Sequence, residues 1–61
     1  MAKLTTKELS ALEDQIGQEQ TLVKKYQHLA EMSQDKKIQT AMCGFAQKHE
    51  QHAATLIKFL S

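Results

Sequence analysis

Apolar residues recur along this chain in two strings of alternating three- and four-residue steps, and that spacing is the signature of amphipathic helices. The first string is Leu9, Leu12, Ile16, Val23, Tyr26 and Ala30, with Glu19 in the place between Ile16 and Val23. The second is Ile38, Met42, Phe45, Leu56 and Phe59, with His49 and His52 in the two places between Phe45 and Leu56. Leu22 and Leu29 widen the first stripe, and Ala41, Ala46, Ala53, Ala54, Ile57 and Leu60 widen the second. Nothing interrupts either string with proline, which the chain lacks. The two glycines, Gly17 and Gly44, fall inside the helices, where they are expected to be exposed or to mark close contacts, Gly17 with a local bend as the alternative.

The helix ends are also written in the sequence. Leu4-Thr5-Thr6-Lys7-Glu8-Leu9 fits a capping box, with Thr5 as N-cap, Glu8 reaching back to it and Leu4 packing on Leu9. Ser33-Gln34-Asp35 breaks the periodicity, and either Ser33 or Asp35 can cap the second helix. The expected fold is an all-α antiparallel two-helix hairpin forming one domain, 1–61, with helices over about 5–32 and 35–60. If the turn centres on Gln34, facing residues have numbers summing to about 68, which sets His49 against Glu19, His52 against Ile16 and Met42 against Tyr26.

A chain of 61 residues buries only about 60% of its unfolded surface and is marginal alone. One cysteine, Cys43, rules out an internal disulfide and favours a reducing, cytoplasmic setting; a buried inert thiol is expected there. Each helix carries an apolar stripe wider than one neighbour can cover, so the expected assembly is a homodimer, a four-helix bundle. The start lacks the apolar segment of a secretory signal, and no apolar run approaches a membrane span. Eight basic residues against seven acidic ones do not make a phosphate-backbone binder, so neither membrane nor nucleic acid is an expected partner. A nucleic-acid-binding hairpin dimer of similar length would need a basic, aromatic stripe. The outer faces here are glutamine-rich and mixed in charge, and the lysines at 24, 25, 36 and 37 read as solvated surface.

The chemistry rests on Glu19, His49 and His52. His49 and His52 are spaced i, i+3 on one helical face, and Glu19 faces them, so the three can ligate one metal ion. Zinc, iron and manganese all accept such a mixed nitrogen and oxygen set. Gln15 and Gln18 lie within a turn and could support the site, whereas Glu13, Glu50 and His28 should face solvent. The alternatives are a metal-free Glu-His hydrogen-bonded layer that fixes register, or a rotated helix that exposes the group. Tyr26 reads as core, and Met32 and Met42 as packing near the turn.

The Glu19 and His-x-x-His pattern resembles one half of the ferritin-like carboxylate proteins, which carry Glu on one helix and Glu-x-x-His on the next. Glu19 matches the first glutamate and His52 the histidine, while His49 stands where the second glutamate would be. That replacement removes the bridging carboxylate that holds two irons in the family's oxidases, which counts against di-iron chemistry; an enzyme acting on oxygen or peroxide is the less expected alternative and requires a metal centre with an open coordination position. The chain resembles more closely the spore coat protein F-like family of helical hairpins, through Leu4-Thr5-x-Lys7-Glu8-Leu9, Glu19-x-x-Leu22-x-x-Lys25-Tyr26 (with Lys24 preceding) and the histidines at 49 and 52. The resemblance implies a small dimeric bundle with a structural, spore-associated role.

Overall fold

The computed structural model describes residues 3–60, which form two helices, α1 (Thr6–Met32) and α2 (Lys36–Lys58), packed against each other as an antiparallel hairpin. The hairpin is a rod of 47 × 16 × 11 Å. No strand occurs among the described residues, and none of their helices is long and apolar enough to cross a membrane.

Local chemistry sets each helix boundary. At the start of α1 the capping box forms as the sequence predicts: the Glu8 amide donates to the Thr5 hydroxyl at 3.0 Å and the Thr5 amide donates to the Glu8 carboxylate at 2.9 Å. Two otherwise orphaned donors are thereby satisfied. Hydrogen bonding from Thr5, its backbone amide foremost, holds the Glu8 carboxyl below its ordinary pKa. Of the two residues able to cap α2, Asp35 does so, accepting from the amides of Lys37 at 2.8 Å and Ile38 at 3.3 Å. Its charge also opposes the exposed positive end of the helix, which Lys36 and Lys37 do not. Ser33 organises the turn instead. Its hydroxyl accepts the Asp35 amide, and its carbonyl accepts the Gln39 side chain at 2.6 Å. At the far end α2 closes on shorter bonds, Phe59 to Leu56 and Leu60 to Ile57, so it stops about two residues short of the expected bound.

The packing differs from the expected seam in one respect. The α2 residues buried against α1 are Ala46 and Ala53, at 3% and 6% exposure, with Met42, His49 and Leu56 half-buried beside them. Ile38, Phe45, His52 and Phe59, placed in the seam by the three-four count, are exposed. The helix is rotated so that its small residues face inward, because alanines let the two backbones approach and bring more atoms into dispersion contact. On α1, Ile16, Glu19 and Ala30 are buried, while Leu9 is exposed. Met32 and Cys43 are also exposed, so Met32 is not packed at the turn and Cys43 is not a buried thiol.

Neither internal glycine bends its helix. α1 runs unbroken through Gly17, no glycine among the described residues has positive φ, and a methyl group at 17 or 44 would meet nothing within 4 Å. Gly17→Ala and Gly44→Ala should therefore each stabilise the hairpin by about 0.5–1 kcal/mol, chiefly by restricting the unfolded chain. Asp35→Ala should destabilise it by about 1 kcal/mol through loss of the α2 cap. Thermal and urea unfolding followed by circular dichroism measure all three; an unchanged midpoint for Asp35→Ala would contradict its capping role.

Candidate metal centre

Midway along the rod, Glu19 points from α1 into the interface and is 8% exposed, the one charged residue buried among the described side chains. An isolated carboxylate in that place would lose its hydration without return. His49 supplies the return: its Nδ1 lies 2.6 Å from Glu19 Oε1 across the interface. The other oxygen, Oε2, is reached at 3.5 Å by both Gln15 Nε2, one turn earlier on α1, and His52 Nδ1. No buried side-chain nitrogen or oxygen among the described residues is left without a partner.

The three residues that the sequence singles out are thus brought together, with one ligating atom from each lying within 4.8 Å of the others. They are not equivalent. His49 is enclosed, its side chain 23% exposed, and His52 is on the rim at 57%. The expected opposition of His52 and Ile16 gives way to a shared approach of both histidines to Glu19. Spacing of i, i+3 places the imidazoles on adjacent turns, and their rings meet edge-on with centroids 5.6 Å apart. Gln15 joins the group as expected, whereas Gln18 is exposed and makes no side-chain hydrogen bond to it. Glu13, Glu50 and His28 face solvent as expected.

Sequence reasoning treats Tyr26 as core and misses its role at the site. Its ring stacks on His49 with centroids 5.5 Å apart and planes 4° from parallel, and it also contacts Phe45 at 5.5 Å. The signal was present in the seven-residue interval from Glu19 to Tyr26, which puts both on one stripe of α1 facing His49. Stacking holds the imidazole plane while Glu19 holds its Nδ1, so His49 is fixed in both tilt and rotation.

The donor set suits a first-row divalent ion. Two ligands about 2.1 Å from one tetrahedral ion are about 3.4 Å apart. The distance from Glu19 Oε2 to His52 is 3.5 Å, close to that value, whereas His49 lies on the other oxygen, Oε1, at a hydrogen-bonding 2.6 Å. Glu19, His49 and His52 would hold such an ion in place of the proton now shared between Glu19 and His49. His52 sits on the open side, so an ion would enter beside it.

The hydrogen bond from His49 is the largest influence on the Glu19 carboxyl and holds it below its usual pKa, outweighing burial, which acts upward; the Gln15 hydrogen bond and the electrostatic influence of His52 and His49 add to the lowering. A carboxyl lowered in the folded state contributes stability above its unfolded pKa and loses that contribution as pH falls through the folded value. The metal-free hairpin should therefore weaken below about pH 4.3, where unfolded glutamate takes up protons and folded Glu19 resists. Urea midpoints measured from pH 7 to pH 2 should fall less in Glu19→Gln than in wild type; parallel curves would contradict this role for Glu19.

Compared with known proteins, the chain matches no family model, no curated protein and no solved structure.

Proposed function

We propose that this hairpin is a metal-binding module in which Glu19, His49 and His52 hold a single divalent first-row ion, zinc, iron or manganese. The observation that carries the reading is the convergence of a buried carboxylate and two imidazoles from facing helices on one point. Three protein ligands leave at least one coordination position open. Within one hairpin no second carboxylate among the described residues faces the group, since Glu13 and Glu50 face solvent. The role we assign is accordingly structural or storage-related rather than oxidative, within a homodimer of ferritin-like type. The sequence resemblance to spore coat hairpins supports the same role and is the ground for proposing a spore-associated setting.

One observation favours a second reading. The 2.6 Å contact between His49 and Glu19 already satisfies the buried carboxylate, so the pair can act as a metal-free layer that fixes how the helices pair, as buried polar residues do in coiled coils.

Metal analysis of untagged protein separates the two. The metal reading expects one ion per chain, or one per pair of chains, lost in His49→Ala and His52→Ala, with affinity falling on acidification because metal ligands must be deprotonated. An absence of bound metal after incubation with zinc, iron(II) and manganese, with a melting temperature indifferent to EDTA, would sink it and leave the hydrogen-bonded layer.

A further inference from the structure

The rotation of α2 turns a column of residues outward that the three-four count had placed in the hairpin seam. Ile38, Phe45, His52 and Phe59 follow one another at seven-residue intervals, so they line up along one flank of α2, and all four are exposed. On the same side of the hairpin, α1 presents Gln15, Leu22 and Leu29, again seven apart. Residue numbers place Leu29 level with Ile38, Leu22 with Phe45, and Gln15 with His52. The result is a second stripe running beside the first. It is apolar toward the turn, apolar again at Phe59, and polar at the level of Glu19.

The opposite flank is unlike it. There an open groove of about 550 Å³ is lined by Gln20, Lys24, Gln27 and Glu50 together with Val23, Ala53, Ala54 and Ile57. Apolar and polar residues alternate there, and Lys24 and Glu50 place charges of both signs in the lining.

The exposed area indicates what the apolar flank meets. A compact monomer of 6.9 kDa exposes about 4,000 Å². This chain exposes 5,018 Å², an excess of about 1,000 Å². Each partner in a stable homodimer loses an area of that order, about 800 Å² or more. No side chain among those described is fully buried, so the hairpin by itself lacks an enclosed core. A second hairpin laid on the flank would supply one. The two stripes would then give each helix the wide apolar face that four-helix packing needs.

We infer that a second copy of this chain docks on the flank formed by Gln15, Leu22, Leu29, Ile38, Phe45 and Phe59, with His52 of each copy inside the contact. The inference deepens the dimer proposed above by naming its face. It stands apart from metal binding, because the area and the columns exist without an ion. Docking covers the open side of the Glu19–His49–His52 group while leaving the Gln20–Glu50 groove and Cys43 on the outside.

Sedimentation equilibrium of the full chain in EDTA tests the face. Wild type should be dimeric, and Phe45→Glu and Leu29→Glu should each weaken dimerisation by about 100-fold or more, the effect expected of a charge placed at an apolar interface centre. Ile57→Glu, in the groove on the other flank, should change it by less than about threefold. Circular dichroism reports whether each variant keeps its helices; should Phe45→Glu lose them through its contact with Tyr26, Leu29→Glu decides alone. A wild-type chain that stays monomeric at about 100 μM overturns the inference. So does a dimer broken by Ile57→Glu but not by Leu29→Glu. A dimer that behaves as expected in protein that never binds metal keeps this face and removes only the metal reading.

Discussion

The contact between Glu19 and His49 is the constraint around which this hairpin is arranged. A carboxylate removed from water at the middle of a helix has to find a donor, and here the donor comes from the other helix, 30 positions along the chain. Apolar side chains tolerate sliding, because one leucine meets another almost as well after a shift of a turn. A 2.6 Å hydrogen bond does not. It fixes the level at which the helices meet and the rotation of each about its own axis. Tyr26 stacking on His49 and Gln15 reaching Glu19 follow from the level it sets.

Much of this was legible in the chain. The helices, the Thr5 cap and the break at Ser33-Gln34-Asp35 follow from short-range rules in which each residue answers to neighbours three or four places away. The opposition of Glu19 and His49 also followed, since a short turn leaves few registers. The rotation of α2 did not. Counting steps of three and four from Ile38 selects Phe45 and His52, while counting from Gln39 selects Ala46 and Ala53, and the two stripes lie side by side on the same helix. Hydrophobicity alone prefers the first, because phenylalanine outweighs alanine. Packing against a single neighbour prefers the second, because close approach needs small residues. The exposure of Cys43 and the rim position of His52, both on α2, follow from that choice.

A helix with two neighbouring apolar stripes is suited to two neighbours. The hairpin satisfies one stripe internally and leaves Leu29, Ile38, Phe45 and Phe59 facing outward. In a chain of this size an uncovered stripe is a large fraction of the apolar material available for folding, so folding and the proposed association would draw on the same residues. The proposed site lies where the two stripes adjoin: His49 belongs to the inner one and His52 to the outer one. A group placed there would sense both the packing within the hairpin and the proposed packing between hairpins.

Ala46 and Ala53 bear on all of this although neither carries any chemistry. At 3% and 6% exposure, they flank His49 three residues before and four after, and so bracket the site along α2. They act as a spacer of minimal thickness. Glutamate and histidine are of fixed reach, and they can touch across an interface only if the helix axes are drawn together at that level. The gauge of the centre is therefore written in the two methyl groups beside it. A valine or leucine in either place would keep Glu19, His49 and His52 and still move them apart.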